Sequence, residues 1–170
     1  MAARADIFDL AGLRLDPGEG RRLDLEVILE PLAFGEERYA VEPATVPVRL
    51  DLSRTLGGGW SVRLRFTASL EGPCMRCLEP ARPAFEVDSR EVDQPGEVEE
   101  MASPYVDDGD LDLRRWAQDA LVLAVPPQIV CREDCAGLCQ MCGEDLNANP
   151  HEHERPPDPR FAKLSELRFE

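Results

Sequence analysis

The stretch Trp60-Ser-Val-Arg-Leu-Arg-Phe-Thr-Ala-Ser-Leu-Glu-Gly-Pro-Cys-Met-Arg-Cys77 joins a strand pattern to a metal-ligand pattern. Apolar residues occupy every second position from Trp60 to Leu70, which is the period of a strand with one buried face. The alternation runs directly into a Gly-Pro step and then into a Cys-x2-Cys pair, Cys74 and Cys77. The sequence therefore predicts a long strand that delivers two thiols at its end.

Further strands are predicted on both sides of this one. Residues 23–29 and 46–52 show the same alternation of apolar and charged side chains. Gly57-Gly58-Gly59 separates the second of these strands from Trp60, so the two segments are predicted to form an antiparallel hairpin. Another strand, at about residues 84–92, is expected to leave the cysteine pair and to pair back onto the long strand.

One helix is predicted after the strands. Its apolar positions are Leu113, Trp116, Ala117, Ala120, Leu121 and Ala124. This spacing places them on one helical face, and Pro126-Pro127 ends the segment. We therefore expect an α+β fold: an antiparallel sheet, either open or barrel-like, with a packed helix and a C-terminal zinc-binding segment.

Composition divides the chain into two predicted parts. Residues 1–125 hold the sheet and the helix, and include an acidic segment at about residues 93–110 that we interpret as a solvated loop. Residues 126–170 form the Cys- and His-rich part. Near its end, prolines in residues 155–159 predict a stiff spacer, and Phe161, Leu164 and Leu167 predict a short amphipathic helix.

Eight potential metal ligands are concentrated in this sequence. They are Cys74, Cys77, Cys131, Cys135, Cys139, Cys142, His151 and His153. Eight such ligands are enough for two closed tetrahedral zinc sites, and the glycine after Cys142 permits the tight turn that a Cys-x2-Cys knuckle needs.

We expect one local site from Cys139, Cys142 and the two histidines, since these follow Cys142 by a short loop. The other four cysteines then form a second site, which ties the middle of the chain to its C-terminal third. The alternative is a single zinc ribbon built from the two Cys-x2-Cys pairs. We expect one or two structural zinc ions, and zinc rather than iron in either arrangement.

The cysteines have three other possible roles besides metal binding. Disulfides need an oxidising compartment, but the chain starts Met-Ala-Ala-Arg-Ala-Asp with no apolar signal segment, and we expect a cytoplasmic protein. Redox catalysis needs a βαβ setting, which the strand-rich surroundings of Cys74 do not suggest. Buried inert thiols are the third interpretation. The ligand spacing favours a structural metal over all three.

The net charge of the chain limits the classes of partner that it can bind. There are 34 acidic against 19 basic residues and a formal net charge of −15, which excludes a generic grip on phosphate backbones and suits a basic partner. The candidate RNA-binding residues are Arg49, Arg63, Arg65, Arg76 and Arg82. They could contact RNA phosphates, although base rates favour the ordinary polar face of a sheet. No apolar run is long enough to span a membrane, and we expect no small-molecule substrate.

The sequence contains no serine nucleophile elbow, no glycine-rich phosphate-binding loop and no dinucleotide-binding fingerprint. An open catalytic zinc at His151-Glu152-His153 has little support, because its ligands are too close together for a helical pair. The interpretation is therefore a protein that is not an enzyme.

An ordered set of motifs resembles a known family. It consists of Cys-x2-Cys-Leu at 74–78, Leu-Val-Leu-Ala-Val-Pro at 121–126, the four-cysteine run with Leu146-Asn147, and Asp158-Pro-Arg-Phe-x2-Leu. The set is similar to the YceD family of large ribosomal RNA subunit accumulation proteins. Where many relatives have Cys-x-Cys after Leu-Asn, this chain has His151-x-His153, which keeps metal-ligand character.

The resemblance implies a non-enzymatic bacterial factor in ribosome biogenesis that supports accumulation of the large-subunit ribosomal RNA. We expect its partner to be a precursor of that RNA or a basic ribosomal protein, with zinc holding the shape of the factor. The alternative is a zinc-ribbon adaptor that acts in transcription through protein contacts.

Overall fold

An antiparallel sheet and one helix make up most of the computed structural model, which describes residues 3–94 and 102–153. The elements in chain order are β1 Ala3–Arg4, β2 Ile7–Asp9, β3 Gly20–Ile28, β4 Leu32–Phe34, β5 Glu37–Glu42, β6 Thr45–Arg54, β7 Trp60–Pro73, β8 Pro80–Ala81, β9 Ala84–Asp93, β10 Val106–Asp107, β11 Asp110–Asp112 and α1 Leu113–Ala124. Eight of the strands belong to one sheet.

The predicted long strand, β7, is the centre of this sheet. On one side β6 pairs with residues 60–65 and β5 with residues 69–71, and on the other side β9 pairs with residues 60–69. The turn between β6 and β7 contains Gly59, where an added Cβ would lie 2.0 Å from the carbonyl oxygen of Asp93. Glycine is therefore required at Gly59, because β9 approaches the turn too closely for any side chain.

β8 and β9 continue one strand in the same register against β7. Pro73 lies opposite Pro80, and Ser69 lies opposite Ala84, so residues 74–79 form the loop of a long hairpin. Cys74 and Cys77 are both in this loop. The sequence prediction that the first cysteine pair stands at a strand end agrees with this placement.

The helix α1 covers the apolar face of the sheet. Its N-terminus is capped by Asp112, whose side chain accepts the N–H of Arg115 at 2.9 Å, and its buried side chains are Leu113, Trp116, Ala117, Ala120 and Leu121. The indole N–H of Trp116 donates to Ser89 Oγ on β9 at 3.0 Å. Since Gln118 exchanges two hydrogen bonds with the backbone of Glu30, α1 bridges from β9 to the end of β3.

Part of the predicted acidic loop is ordered. β10 and β11 pair with each other and β11 pairs with β2, which makes a small three-stranded sheet around the buried Leu10 and Leu111. Strands of two or three residues carry too short an alternation to be recognised in sequence. Residues 95–101 of the acidic segment lie outside the described residues.

The predicted antiparallel sheet with a packed helix is confirmed, and its barrel-like alternative is wrong. β9 ends the sheet on one side and β3, with β1, ends it on the other, so the sheet does not close. The reason is that α1 buries the apolar face that closure would otherwise bury. Within residues 3–94 and 102–153, no helix is long and apolar enough to cross a membrane.

The predicted division of the chain at residue 125 stays a prediction. Ile129 and Cys135 belong to the same buried core as the sheet, so the beginning of the cysteine-rich part packs directly on it. The predicted spacer at residues 155–159 and the terminal helix around Phe161, Leu164 and Leu167 lie outside the described residues.

Candidate metal centres

Two separate groups of ligand atoms meet in the structure. We call Cys74, Cys77, Cys131 and Cys135 the inner cluster, and Cys139, Cys142, His151 and His153 the outer cluster. Within each cluster the ligand atoms all lie within 4.8 Å of one another. Both clusters could hold a metal ion. The single ribbon made from both Cys-x2-Cys pairs does not occur here, because those pairs belong to different clusters.

The inner cluster joins the β7–β8 loop to the segment after α1. Met75 N–H donates to the carbonyl oxygen of Ile129 at 2.8 Å, and Ile129 is buried. This contact aligns the two segments, so that Cys131 and Cys135 arrive beside Cys77 and Cys74 respectively. Cys74, Cys77 and Cys135 are almost fully buried, whereas Cys131 is exposed.

The sulfur separations in the inner cluster fit a tetrahedral metal. Cys74 Sγ and Cys135 Sγ are 3.8 Å apart, and Cys77 Sγ and Cys131 Sγ are 3.7 Å apart. A tetrahedron with zinc–sulfur bonds of about 2.3 Å requires sulfurs separated by about 3.8 Å. A disulfide needs about 2.05 Å, and all six cysteines are free thiols in the structure.

The two Cys-x2-Cys loops share one backbone pattern. In the first knuckle, residues 74–79, Cys74 N–H donates to Glu79 O at 2.8 Å, and Arg76 N–H points at Cys74 Sγ at 3.4 Å. In the second knuckle, residues 139–144, Cys139 N–H donates to Glu144 O at 2.8 Å, and Met141 N–H points at Cys139 Sγ at 3.5 Å. Amides that donate to sulfur stabilise a thiolate, which is the form that binds metal.

The residue after the second cysteine distinguishes the two knuckles. Both knuckles need a left-handed residue at that place: Leu78 has φ 64° and Gly143 has φ 77°. Glycine adopts this conformation freely, while leucine is strained by it. The first knuckle therefore carries backbone strain that the second does not.

The outer cluster is formed by neighbouring residues. His151 Nδ1 donates to the backbone oxygen of Asn149 at 2.8 Å, which leaves Nε2 as the free lone pair, 3.1 Å from Cys142 Sγ. A backbone contact of this kind orients a histidine ligand. The ring of His153 meets that of His151 edge to face at 4.9 Å. Cys142 and His153 are exposed, so this cluster is more open than the inner one.

The thiols of each cluster ionise unequally. Burial raises the pKa of Cys74, but N–H groups of Cys77, Arg76 and Cys131 outweigh it and lower the pKa to about 6. The N–H of Glu79 lowers the pKa of Cys77, yet burial and the neighbouring thiols raise it to about 12. One thiolate therefore suppresses ionisation of the next, since like charges repel. A bound cation would remove this repulsion and stabilise all four thiolates.

The outer cluster shows the same effect. Hydrogen bonds from the N–H groups of Cys142 and Met141 lower the pKa of Cys139 to about 6. The pKa of His151 is raised, first by its contact with the backbone of Asn149 and then by Cys139. The accumulated negative charge at both centres makes them suited to a cation.

Two supporting residues were not identified from sequence. Asn147 reaches from beyond the second knuckle to the inner cluster: its side-chain N–H₂ lies 3.6 Å from Cys135 Sγ, and its oxygen accepts the N–H of Ala136 at 2.8 Å. Arg76 donates to the carbonyl oxygen of Cys135 at 3.1 Å and to Gln128 Oε1 at 3.2 Å. The Leu-Asn motif at 146–147 was the available signal for Asn147, but sequence gives no indication of what it contacts.

Three of the predicted RNA-binding arginines lie in a charged ladder on the outer face of the sheet. Arg63 pairs with Asp88, Arg65 pairs with Asp51, and Arg49 pairs with Asp24 at 3.2 Å. Asp51 also accepts from Arg22 at 2.6 Å, and this bond with Arg22 is the largest factor that lowers the pKa of Asp51. Each of these three arginines therefore already has a carboxylate beside it.

The other two predicted RNA-binding residues are near the first knuckle. The guanidinium of Arg76 is used within the chain, as described above. Arg82 is exposed and forms no ion pair with any residue that the structure describes. The five arginines thus do not form one free basic surface, and RNA binding by them stays a prediction.

Fold and site together define an α+β protein with an open antiparallel sheet and two closed sets of metal-ligand side chains. A comparison with protein families matches residues 62–168 to "Large ribosomal RNA subunit accumulation protein YceD". The chain belongs to the YceD family. The matched region begins in β7 and contains all eight ligand residues of both clusters.

Relatives are found in mycobacteria. An uncharacterized protein of Mycobacterium tuberculosis is 34% identical over 169 residues, which cover 94% of this chain and 79% of the relative. An uncharacterized protein of Mycobacterium leprae is 31% identical over 170 residues, which cover 95% of this chain and 76% of the relative. No solved structure matches the chain.

Proposed function

We propose that this protein is a non-enzymatic ribosome-biogenesis factor that supports the accumulation of large-subunit ribosomal RNA in the cytoplasm. The observation that carries the proposal is the family match, which spans residues 62–168 and takes in the whole metal-binding part of the fold. The family description concerns accumulation of an RNA, which is a role that binding alone can fulfil.

We propose that both clusters hold structural zinc. Each cluster offers four protein ligands, and four ligands complete the tetrahedral shell that structural zinc prefers. A catalytic zinc keeps one position open for water or substrate. The complete ligand sets therefore support a role in shape rather than in chemistry.

The charges favour a basic ribosomal protein over direct contact with ribosomal RNA. The formal net charge of −15 repels phosphate, and the arginines of the outer sheet face are neutralised by Asp24, Asp51 and Asp88. The same negative charge attracts a basic protein and speeds the encounter with it. Precursor RNA is the second partner class, and Arg82 is the arginine most available to it.

Deletion of the gene in its own host tests the function. We expect the ratio of large-subunit to small-subunit ribosomal RNA to fall, and a plasmid copy of the wild-type gene to restore it. A Cys77→Ser copy should fail to restore the ratio, because the inner cluster loses a ligand. The control copy carries Leu56→Ser, which alters an exposed turn residue and should restore the ratio fully. An unchanged ratio after deletion contradicts the proposal.

Sedimentation of tagged protein separates this function from the transcription alternative. We expect the tagged protein to migrate with precursors of the large subunit in a sucrose gradient. Capture of RNA polymerase without ribosomal particles would instead support an adaptor in transcription. Immunoblots of gradient fractions against a large-subunit protein and against RNA polymerase distinguish these two results.

A further inference from the structure

The strand β9 leaves one edge of the sheet open. It pairs with β7 along its whole length, from Trp60↔Asp93 to Ser69↔Ala84, and among the described residues its other edge has no backbone partner. We call this outer side of residues 84–93 the open edge. Of its inward-facing residues, Phe85 and Ser89 are half-buried, whereas Val87 between them is buried. The outward-facing side chains of β9 are exposed at Glu86, Asp88 and Arg90, so the strand can be approached from that side.

At the opposite edge of the sheet, a short strand, β1, pairs with the edge strand β3. The pairing is parallel and involves Leu25 and Glu26 of β3, and Ala5 N–H donates to Glu26 O at 3.1 Å. This part of the opposite edge is covered, while residues 20–24 of β3 have no strand on their outer side among the described residues. A strand with unpaired N–H and C=O groups is a template for another strand, and proteins usually cover or shorten such edges. In the part of the chain that the structure describes, no strand lies beside the outer edge of the ten-residue β9, so this edge can take a further strand.

The open edge is acidic. β9 carries Glu86, Asp88, Glu91 and Asp93 against one basic residue, Arg90. Glu91 and Asp93 are held in place by Ser103, whose hydroxyl donates to Glu91 at 3.2 Å and whose N–H donates to Asp93 at 3.2 Å. A second copy of β9 would bring the same excess of carboxylates, whereas a basic strand brings the opposite charge. The net charge of β9 therefore favours a basic strand over self-pairing.

We infer that the open edge of β9 binds an extended, Lys- and Arg-rich segment of a partner protein by strand addition. Main-chain hydrogen bonds to the edge would supply affinity, and the alternate side chains of the segment would supply specificity. Basic side chains on the outer face would meet Glu86, since Asp88 is already paired with Arg63. This inference rests on the proposed function, because it assigns a binding surface to the basic ribosomal protein proposed there.

Hydrogen exchange on the full-length protein tests the inference. The probe is a synthetic peptide of alternating lysine and valine residues, as long as β9. We expect the peptide to slow amide exchange within residues 84–93 and to bind more weakly as salt is added. A peptide of alternating lysine and proline has the same charge but lacks half of the N–H donors and has φ fixed near −65° at every second residue, so it fits a strand edge poorly and should give much weaker protection.

Charge variants identify the edge itself. Glu86→Lys combined with Val92→Lys reverses one exposed charge of β9 and adds another, and it should weaken peptide binding about tenfold because the lysines repel the basic peptide. The matched control is Glu37→Lys with Leu56→Lys, which makes the same change in charge at exposed positions away from β9. It should bind the peptide within about twofold of wild type, because salt screens charges that are distant from the bound peptide.

Several results would overturn the inference. They are protection outside residues 84–93, equal binding of the proline peptide, equal weakening by the control variant, and protection of β9 by an RNA oligonucleotide but not by the peptide. Protection of β9 in the protein alone, with the doubled mass of a dimer, would assign the edge to self-association. If the peptide fails while gene deletion still lowers the ribosomal RNA ratio, the inference fails alone. If deletion has no effect while the peptide binds β9, the proposed function fails alone.

Discussion

The inner and outer clusters share a knuckle geometry but differ in what they connect. The inner cluster brings together residues 61 and 54 positions apart in the chain, Cys74 with Cys135 and Cys77 with Cys131. The outer cluster is contained in residues 139–153. A link between distant segments removes more chain entropy from the unfolded state than a local link does. The inner cluster should therefore stabilise the whole fold, and the outer cluster mainly its own loop.

Burial strengthens the contrast. Cys74 is 0% exposed and Cys135 is 3% exposed, within the same core as β7 and α1. Removal of a ligand there would leave buried thiolates without a cation, which is costly. The exposed Cys142 and His153 can instead be hydrated when a ligand is lost. Loss of one ligand should therefore lower the free energy of unfolding more at the inner cluster than at the outer cluster.

The largest effect is expected from Cys77→Ser. This variant should release about one zinc ion per chain and reduce the free energy of unfolding by about 4 kcal/mol or more, the range in which loss of a bound metal falls. Elemental analysis of the purified protein and urea unfolding monitored by tryptophan fluorescence measure both quantities. Unchanged metal content and an unchanged unfolding midpoint would show that the inner cluster is not a metal site.

A second effect concerns the contact between Gly137, which precedes the second knuckle, and Arg76 in the first knuckle. Gly137 has φ 78°, and an added Cβ would lie 3.0 Å from the carbonyl oxygen of Arg76. Gly137→Ala should cost about 2 kcal/mol, because a left-handed backbone and a close contact are combined. Gly143→Ala is the matched control: its φ is 77° but nothing lies within 4 Å, and it should cost about 1 kcal/mol. Equal losses in thermal unfolding would mean that the contact with Arg76 is unimportant.

A smaller global effect is expected from Cys142→Ser. The variant should also release about one zinc ion, but the free energy of global unfolding should fall by about 1 kcal/mol or less, since a surface loop can open by itself. Hydrogen exchange should increase within residues 139–153 and stay unchanged in β7 and α1. If Cys142→Ser unfolds the sheet as readily as Cys77→Ser does, the difference drawn between the clusters is wrong.

The smallest effect, and the one gain, is expected from Leu78→Gly. The strained Leu78 would become the glycine that the second knuckle has, and the free energy of unfolding should rise by about 0.5 kcal/mol after the entropy of glycine is counted. Leu56→Gly provides the comparison, because Leu56 is also exposed but has no positive φ, and it should give no gain. A loss of stability in Leu78→Gly would mean that the leucine side chain makes a stabilising contact.

Local pattern was sufficient to predict the main strands and the helix. β3, β6, β7 and β9 all alternate strictly over several residues, and α1 has apolar positions at helical spacing. β1, β2, β4, β5, β8, β10 and β11 were not predicted, since short or irregular strands are defined by their partners rather than by their own sequence. The barrel-like alternative was wrong because sheet closure depends on where the helix packs.

The sequence predicted which eight side chains come together and how they divide into two groups, while metal binding by these groups stays a prediction. Spacing along the chain suggested the local outer group, and elimination left four cysteines for the other group. The sequence could not show that Cys74 meets Cys135 while Cys77 meets Cys131, or that Asn147 lies against Cys135 Sγ. For the arginines the sequence was misleading. It suggested a basic patch, but Arg49, Arg63 and Arg65 are paired with carboxylates of neighbouring strands, which the sequence does not reveal.

The sequence by itself determined the elements and the chemistry of the ligands, because periodicity and side-chain type are local properties of the chain. Tertiary structure alone decided which charges are neutralised, which cluster is buried and which edge of the sheet remains open. These properties depend on strand order and on the packing of α1, which bring together residues that are distant in the chain. The acidic open edge of β9 belongs to this second class, since no feature of residues 84–93 indicates which neighbours they lack.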